Sequence, residues 1–289
     1  MDIIANFVAG GKHGRKVKKA LSIVENRLKE RKIKYCVHQT KYKGHGTALT
    51  KSLIKNGAKQ IVAIGGDGTL HEVINGFDNF EEVTLGLIPC GTGNDFAHAL
   101  GLPKDPLKAI DLIIDGQAKF TDFMQLPTVR GINVVGMGID VDVLSRYSKL
   151  KRKNKFGYTW CLIKTLMNFD YVNFEAEVNG QTKSYRSFIV AIANGNVYGG
   201  GIPICPPANP TDNLLNLVTV KEIKKSKILF ALIKLLKGKL LTLPQAEQVT
   251  CKKITIQAKS PYIVNVDGEL YPDIPFDVQI VSNKLKMYR

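Results

Sequence analysis

Apolar positions along this chain follow two different rhythms. In the first hundred residues, short solid runs alternate with helical spacing. Ile3-Ile4-Ala5 is a short apolar strand that runs into Asn6 and a glycine-containing turn. Val17, Ala20, Leu21, Val24 and Leu28 fall on one helical face. Ile33, Tyr35 and Val37 alternate as a strand, and a helix is expected near Ala48–Ile54. Ile61–Ile64 reads as a buried strand and Thr84–Ile88 as another, with helices over 95–100 and 106–114. Strands alternating with helices predict a parallel sheet covered on both faces. After about residue 120 the rhythm becomes strand-dominated: 117–126, 130–136, 172–179, 184–194, 214–220, 252–258, 261–267 and 276–281. Helical stretches near 156–168 and 226–237 interrupt it. That second half predicts an antiparallel sandwich or barrel.

Composition narrows the class. A chain of 289 residues suggests about two domains. The formal charge of +16 implies an anionic partner, whether membrane surface, nucleic acid or phosphorylated substrate, unless it serves solubility alone. Five scattered cysteines show neither Cys-x-x-Cys nor zinc spacing, which predicts reduced thiols in a cytosol. The N-terminus does not read as a signal peptide, because Asp2 is acidic and the apolar stretch to Val8 is short. Lysines break the longest candidate span, Ile223 to Leu243. That stretch suits either an amphipathic helix on an anionic membrane or a core-facing helix with a lysine-rich exterior.

The chemistry centres on the stretch that follows the Ile61–Ile64 strand. Gly65-Gly66-Asp67-Gly68-Thr69 leads into Leu70, Val73 and Ile74 at helical spacing, with Thr69 placed to cap or open the helix. A strand, a glycine loop and a helix N-terminus together make an anion cradle. Asp67 fits beside phosphates when Mg²⁺, or water held on Mg²⁺, lies between them. The competing reading is a plain turn. Gly91-Thr92-Gly93-Asn94-Asp95 ends the next strand in the same way. There Thr92 could bond a phosphate and Asp95 could join Asp67, unless Asn94 or Asp95 is only a helix cap. Asp122 is a third candidate carboxylate or an outward-facing strand residue. Late in the chain, Asp267 and Glu269 stand two apart. On an extended segment they would point the same way, and either could serve as general base for an alcohol. Asp267-Gly268 is equally a hairpin signal. Asn209 to Leu214 is a turn whose carbonyls and Asp212 could hold a hard cation. Gly10-Gly11-Lys12-His13 is not a Walker loop, and Cys90 reads as a buried thiol rather than a nucleophile.

These pieces stand in the order found in the bacterial diacylglycerol kinase-like lipid kinases, and the resemblance runs from Ile3 to Leu270. Gly65 to Gly76 resembles the family's central motif, and Ile88 to Ala97 its second nucleotide loop. Asn133 to Asp140, Ala193-Asn194-Gly195 with Gly199-Gly200-Gly201, and Val266 to Glu269 are similar to further family motifs. The resemblance implies that Asn6, Phe7, Val8, Ala9, Gly10, Thr40, Gly65, Gly66, Asp67, Gly68, Thr69, Leu70, His71 and Thr92 contact ATP. It implies that Asp67, Asp95 and Asp122 anchor the water network around a catalytic Mg²⁺. Asp267 and Glu269 would sit at the transfer site, with Glu269 the usual proton acceptor. Asn209, Asp212 and Leu214 would hold a second, structural Mg²⁺. Departures are visible: Phe7 stands for proline and Ala9 for serine in the first motif, Asn213 for glycine and Asn216 for aspartate at the structural metal.

The fold class expected is therefore α/β followed by β. Residues 1–125 form a three-layer α/β nucleotide-binding domain with a mostly parallel sheet, 126–280 an antiparallel β-sandwich domain, and 281–289 a tail free to return to the first. The expected activity is transfer of the γ-phosphoryl of ATP to a lipid hydroxyl, with diacylglycerol the default acceptor by resemblance. Phosphatidylglycerol or a long-chain base, an NAD kinase-like reaction, and a catalytically silent nucleotide- or lipid-binding module are the alternatives. Expected partners are a lipid substrate and anionic phospholipids at the inner face of a membrane, with a cytoplasmic, peripheral location. A homodimer is expected and nucleic acid is not.

Overall fold

The computed structural model describes every residue except 8–11, 151–154, 167–168, 170, 225–226 and 259–261. The described chain divides into two units, Met1–Asp122 with Ser282–Arg289, and Phe123–Val281.

The first unit alternates strand and helix: β1 (Asp2–Ala5), α1 (Lys12–Glu30), β2 (Cys36–Gln39), α2 (His45–Lys55), β3 (Gln60–Gly65), α3 (Asp67–Asn75) and β4 (Thr84–Pro89). Then come α4 (Asp95–Ala99), α5 (Pro106–Asp115) and the start of β5 (Ala118–Gln125). β2, β1, β3 and β4 are parallel neighbours in that order. Buried side chains of β1, β3 and β4 pack under α1 and α5 in one apolar cluster, which includes Val24 and Leu28 from α1. α2 packs on β1 and α3 on β3 from the other layer. The three-layer parallel architecture therefore stands as expected. Ile33 and Tyr35 are not strand residues. They cross to β2 after a left-handed turn at Lys32 (φ 55) and pack against the α1 cluster. From β1 the chain moves outward to β2, and from β3 it moves the opposite way to β4. The carboxyl ends of β1 and β3 thus flank the switch point where such sheets bind ligands.

The second unit holds β6 (Arg130–Gly131), β7 (Val134–Gly138), α6 (Ile139–Ser148), α7 (Lys155–Leu166), β8 (Val172–Val178) and β9 (Gln181–Ala193). It continues with β10 (Leu215–Lys221), α8 (Ile228–Leu236), β11 (Ala246–Cys251), β12 (Lys253–Ala258), β13 (Ile263–Val266), β14 (Glu269–Pro272) and β15 (Phe276–Tyr288). Its pairings are antiparallel throughout the ladders β8–β9, β9–β10, β10–β11, β7–β9, β8–β12, β7–β13 and β13–β14. β9 shows why two cores form. Ile189, Ala191 and Ala193 face a cluster roofed by α6, α7 and α8. The alternate residues Val190 and Ile192 face a second cluster, made with β8, β12 and β13. The expected single strand over 130–136 is broken at 132–133, because the amides there bond a side chain rather than a ladder.

Residues 276–281 of β15 belong to the second unit, where Phe276–Gln279 pair with β12. From Ser282 on, the same strand belongs to the first, where Lys286 and Met287 pair with β4 in parallel.

Candidate active site

In the first unit, two glycine loops lie backbone to backbone. A Cβ on Gly66 would meet the Gly91 Cα at 2.8 Å, and one on Gly91 would meet the Gly66 Cα at 2.5 Å. No side chain tolerates that approach, so the glycines are set by packing. The amide of Cys90 donates to the Gly65 carbonyl at 2.7 Å, joining the loops at their root. The second loop is closed by Asn94, which is left-handed (φ 54) and accepts from the Gly91 amide at 2.7 Å. Its side chain therefore turns back into the loop and makes no cap bond to α4.

Helix α3 begins inside the first loop. Gly66 is its N-cap, and Thr69 lies in the first turn rather than at the cap. The Thr69 hydroxyl accepts from Asn6 Nδ2 at 2.9 Å, and the Thr40 hydroxyl donates to Asn6 Oδ1 at 3.0 Å. One asparagine after β1 thereby ties the end of β2 to the start of α3. Thr40 and Thr69 are both buried, so this network orders the cradle from beneath. A helix start leaves first-turn amides without intrahelical acceptors and concentrates partial positive charge, which suits an anion.

The carboxylates of the unit converge. A Cβ on Gly93 would meet Asp67 Oδ2 at 2.9 Å and Asp95 Oδ2 at 3.2 Å, so both acids face one glycine. Asp67 Oδ1 also accepts from the Phe96 amide at 3.3 Å. Two carboxylates brought together with oxygen ligands only are the donor chemistry that Mg²⁺ takes. Asp122 is buried in β5 and does not face outward. Thr92 is partly exposed between Gly91 and Gly93. Phe7 is half-buried against the α1 cluster. Leu70 and His71 are both buried on α3. Val8, Ala9 and Gly10 lie outside the described residues. Glu72, given no role from sequence, accepts from the Gly44 and Gly46 amides at 2.7 and 2.8 Å and pins the start of α2 to α3. Cys90 is buried, and burial pushes its thiol up to about 11, which leaves no thiolate for catalysis.

In the second unit, the β13–β14 hairpin turns on Asp267 and Gly268, both left-handed (φ 53 and 94). The hairpin reading holds, and the extended geometry that would aim Asp267 and Glu269 the same way does not. Asp267 accepts from three consecutive amides: Ile132 at 2.7 Å, Asn133 at 2.8 Å and Val134 at 3.1 Å. Its own amide donates to the Val134 carbonyl at 3.0 Å. Asn194 Nδ2 donates to the Ile132 carbonyl at 2.7 Å, and the Asn133 carbonyl accepts from the Asn194 and Gly195 amides. Three sequence-distant motifs are laced into one loop cluster in this way. Glu269 begins β14 beside it, partly exposed.

Asn209, Asp212 and Leu214 share one tight turn. Asp212 Oδ1 accepts from the Leu214 amide at 3.0 Å, and the Asn209 carbonyl accepts from the Asp212 amide at 3.4 Å. Asn213 is left-handed (φ 62), a conformation open to asparagine as well as glycine, which accounts for that departure. Asn216 is buried and accepts from Gln248 Nε2 at 2.6 Å, so its carboxamide serves the β10–β11 ladder.

Comparison with known proteins gives consistent relatives. Residues 1–126 match the family model of the diacylglycerol kinase catalytic domain. Residues 133–289 match that of the YegS C-terminal NAD kinase beta sandwich-like domain. The diacylglycerol kinase of Bacillus subtilis is 27% identical over 272 residues, covering 92% of this chain and 89% of the relative. That of Mycobacterium tuberculosis is 27% identical over 253 residues, covering 83% and 80%. Among solved structures, a diacylglycerol kinase from Bacillus anthracis superposes with a TM-score of 0.73 at 22% identity, over 99% of this chain and 95% of that one. An NAD kinase from Archaeoglobus fulgidus in complex with ATP superposes at 0.54 and 13%, over 100% and 94%. At these identities the two structures speak to the fold alone.

Proposed function

The chain belongs to the bacterial diacylglycerol kinase-like lipid kinases, and from that premise we propose that it transfers the γ-phosphoryl of ATP to a lipid hydroxyl, diacylglycerol first among acceptors. The observation that carries the proposal is the convergence of Asp67 and Asp95 on Gly93, beside two interlocked glycine loops at a helix start. On this reading the Gly65–Thr69 and Gly91–Gly93 backbones bind the nucleotide phosphates, while the Asn6–Thr40–Thr69 network keeps the cradle in shape. Asp67, Asp95 and Asp122 would hold Mg²⁺ through water. The ion, when bound, supplies charge neutralisation for the transferring group. Asp212 with the Asn209 and Leu214 carbonyls would hold a second Mg²⁺ that braces the turn before β10.

Glu269 is the proton acceptor in this scheme. A general base needs a lone pair within reach of the hydroxyl, and Asp267 commits both oxygens to backbone amides. Asp267 then acts as a positioning residue that fixes the turn on which Glu269 stands. Phosphoryl transfer asks little covalent chemistry of the protein, so positioning and electrostatics supply most of the acceleration. The acceptor is drawn from the inner face of a membrane, which the basic charge of the chain favours.

The test is incubation with radiolabelled ATP, Mg²⁺ and a panel of diacylglycerol, phosphatidylglycerol, a long-chain base and NAD. Label in phosphatidic acid, reduced about 10²–10⁴-fold by Glu269→Gln, is the expected result. Label only in NAD, or in no acceptor at all, would sink the lipid kinase reading. Full turnover by Glu269→Gln would remove that residue from the mechanism.

A further inference from the structure

Helix α8 is apolar on two faces. Ile228, Ala231, Leu232 and Leu235 are buried in the cluster it roofs. On the other side Leu229, Phe230, Ile233 and Leu236 are exposed at 65, 54, 42 and 41%. Positions 229, 230, 233 and 236 fall on one contiguous helical stripe. The exterior is therefore not the lysine-rich surface that a core helix would show. Four large apolar side chains on nine residues form a patch rather than the usual scatter. Lysines frame it. Lys224, Lys227, Lys237 and Lys239 are exposed, and Lys234 Nζ sits 5.0 Å above the Phe230 ring. Between Ile223 and Leu243 the chain carries six lysines and no acid. Helix α7, under the same roof, also turns Trp160 outward, at 52% exposure.

We propose that the outer face of α8 is the surface by which the protein docks on an anionic bilayer. The proposal rests on the lipid kinase reading for the identity of its partner. The chemistry is complementary: apolar side chains enter the headgroup–acyl boundary while ammonium groups meet the phosphates. A second copy of the chain is a poorer occupant, because joining two such faces would bring their lysines together. Docking there keeps the enzyme on the membrane while successive acceptors are phosphorylated.

The full chain is sedimented with phosphatidylglycerol vesicles and with phosphatidylcholine vesicles, without nucleotide. Binding to the anionic vesicles alone is expected. It should fall at least tenfold in Leu229→Ser/Phe230→Ser and in Lys237→Glu/Lys239→Glu, with the melting temperature and the activity on detergent-dispersed lipid unchanged. Equal binding of these variants and the parent would overturn the proposal. So would a change confined to oligomeric mass, which would make the face a self-association surface. Vesicle binding through α8 with no lipid phosphorylated sinks the kinase reading and leaves the dock; phosphorylation in detergent without vesicle binding does the reverse.

Discussion

The dipeptide Asp-Gly occurs after an apolar strand in each unit, and the two copies have opposite fates. Asp67-Gly68 opens helix α3, and Asp67 lies with Asp95 against Gly93. Asp267-Gly268 reverses the chain in a tight hairpin, and Asp267 is bound by the amides of three consecutive residues. The following residues decide which occurs. Thr69-Leu70-His71-Glu72 continues at helical spacing, whereas Glu269-Leu270-Tyr271-Pro272 runs back along β13. A carboxylate thus gains its role less from its own motif than from the amides that surround it. Where the chain brings three, the acid holds structure. Where it brings a second acid, as Asp95 beside Asp67, the pair faces one glycine, and the proposed function gives it a cation to hold.

Three substitutions probe that contrast. The largest effect is expected from Asp67→Asn, which keeps an acceptor for the Phe96 amide but removes the charge. Phosphoryl transfer should fall about 10³-fold or more, by analogy with the loss of a single transition-state electrostatic contact, with thermal unfolding unmoved. A variant that melts early instead would make Asp67 a second structural acid and erase the distinction. Next is Asp267→Ala, which leaves three amides without their acceptor. The three bonds are part-buried, so at the low end of roughly 1–3 kcal/mol for each group left unsatisfied, a stability loss of about 3 kcal/mol is expected in denaturant titration. Unchanged stability with lost activity would instead return Asp267 to the chemistry. The smallest is Gly91→Ala, whose new Cβ would stand 2.5 Å from the Gly66 Cα. Parting the loops should cost about 1–3 kcal/mol and raise KM for ATP more than it lowers kcat. An unaltered KM would detach the interlocked loops from the nucleotide.

Local pattern carried the fold wherever it agreed with packing. The apolar runs at 61–64 and 84–88 became the central strands, and the spacing of Val17 to Leu28 became α1. It failed where tertiary contacts override period. Ile33, Tyr35 and Val37 alternate as a strand would, yet only Val37 lies in β2, because Ile33 and Tyr35 follow the left-handed turn at Lys32 and pack against the α1 cluster. β11 went unseen because Ala246-Glu247-Gln248-Val249 is half-exposed and has little apolar rhythm. At the site, the glycine loops were readable as strand–loop–helix elements, and the structure lays them against each other. The partners of Asp267 were not readable. Its carboxylate reaches Asn133 across 134 positions, and no spacing rule spans that distance.

The path of β15 has a consequence for biosynthesis. Lys286 and Met287 lie along β4, and Gln60 Nε2 donates to the Tyr288 hydroxyl at 2.8 Å, so the first unit's sheet is completed by residues made after the whole second unit. At about 5–20 residues per second, β4 leaves the ribosome roughly 10–40 s before its neighbour exists. During that interval its edge is an open template for stray pairing, an exposure that chaperones or the growing chain itself must shield.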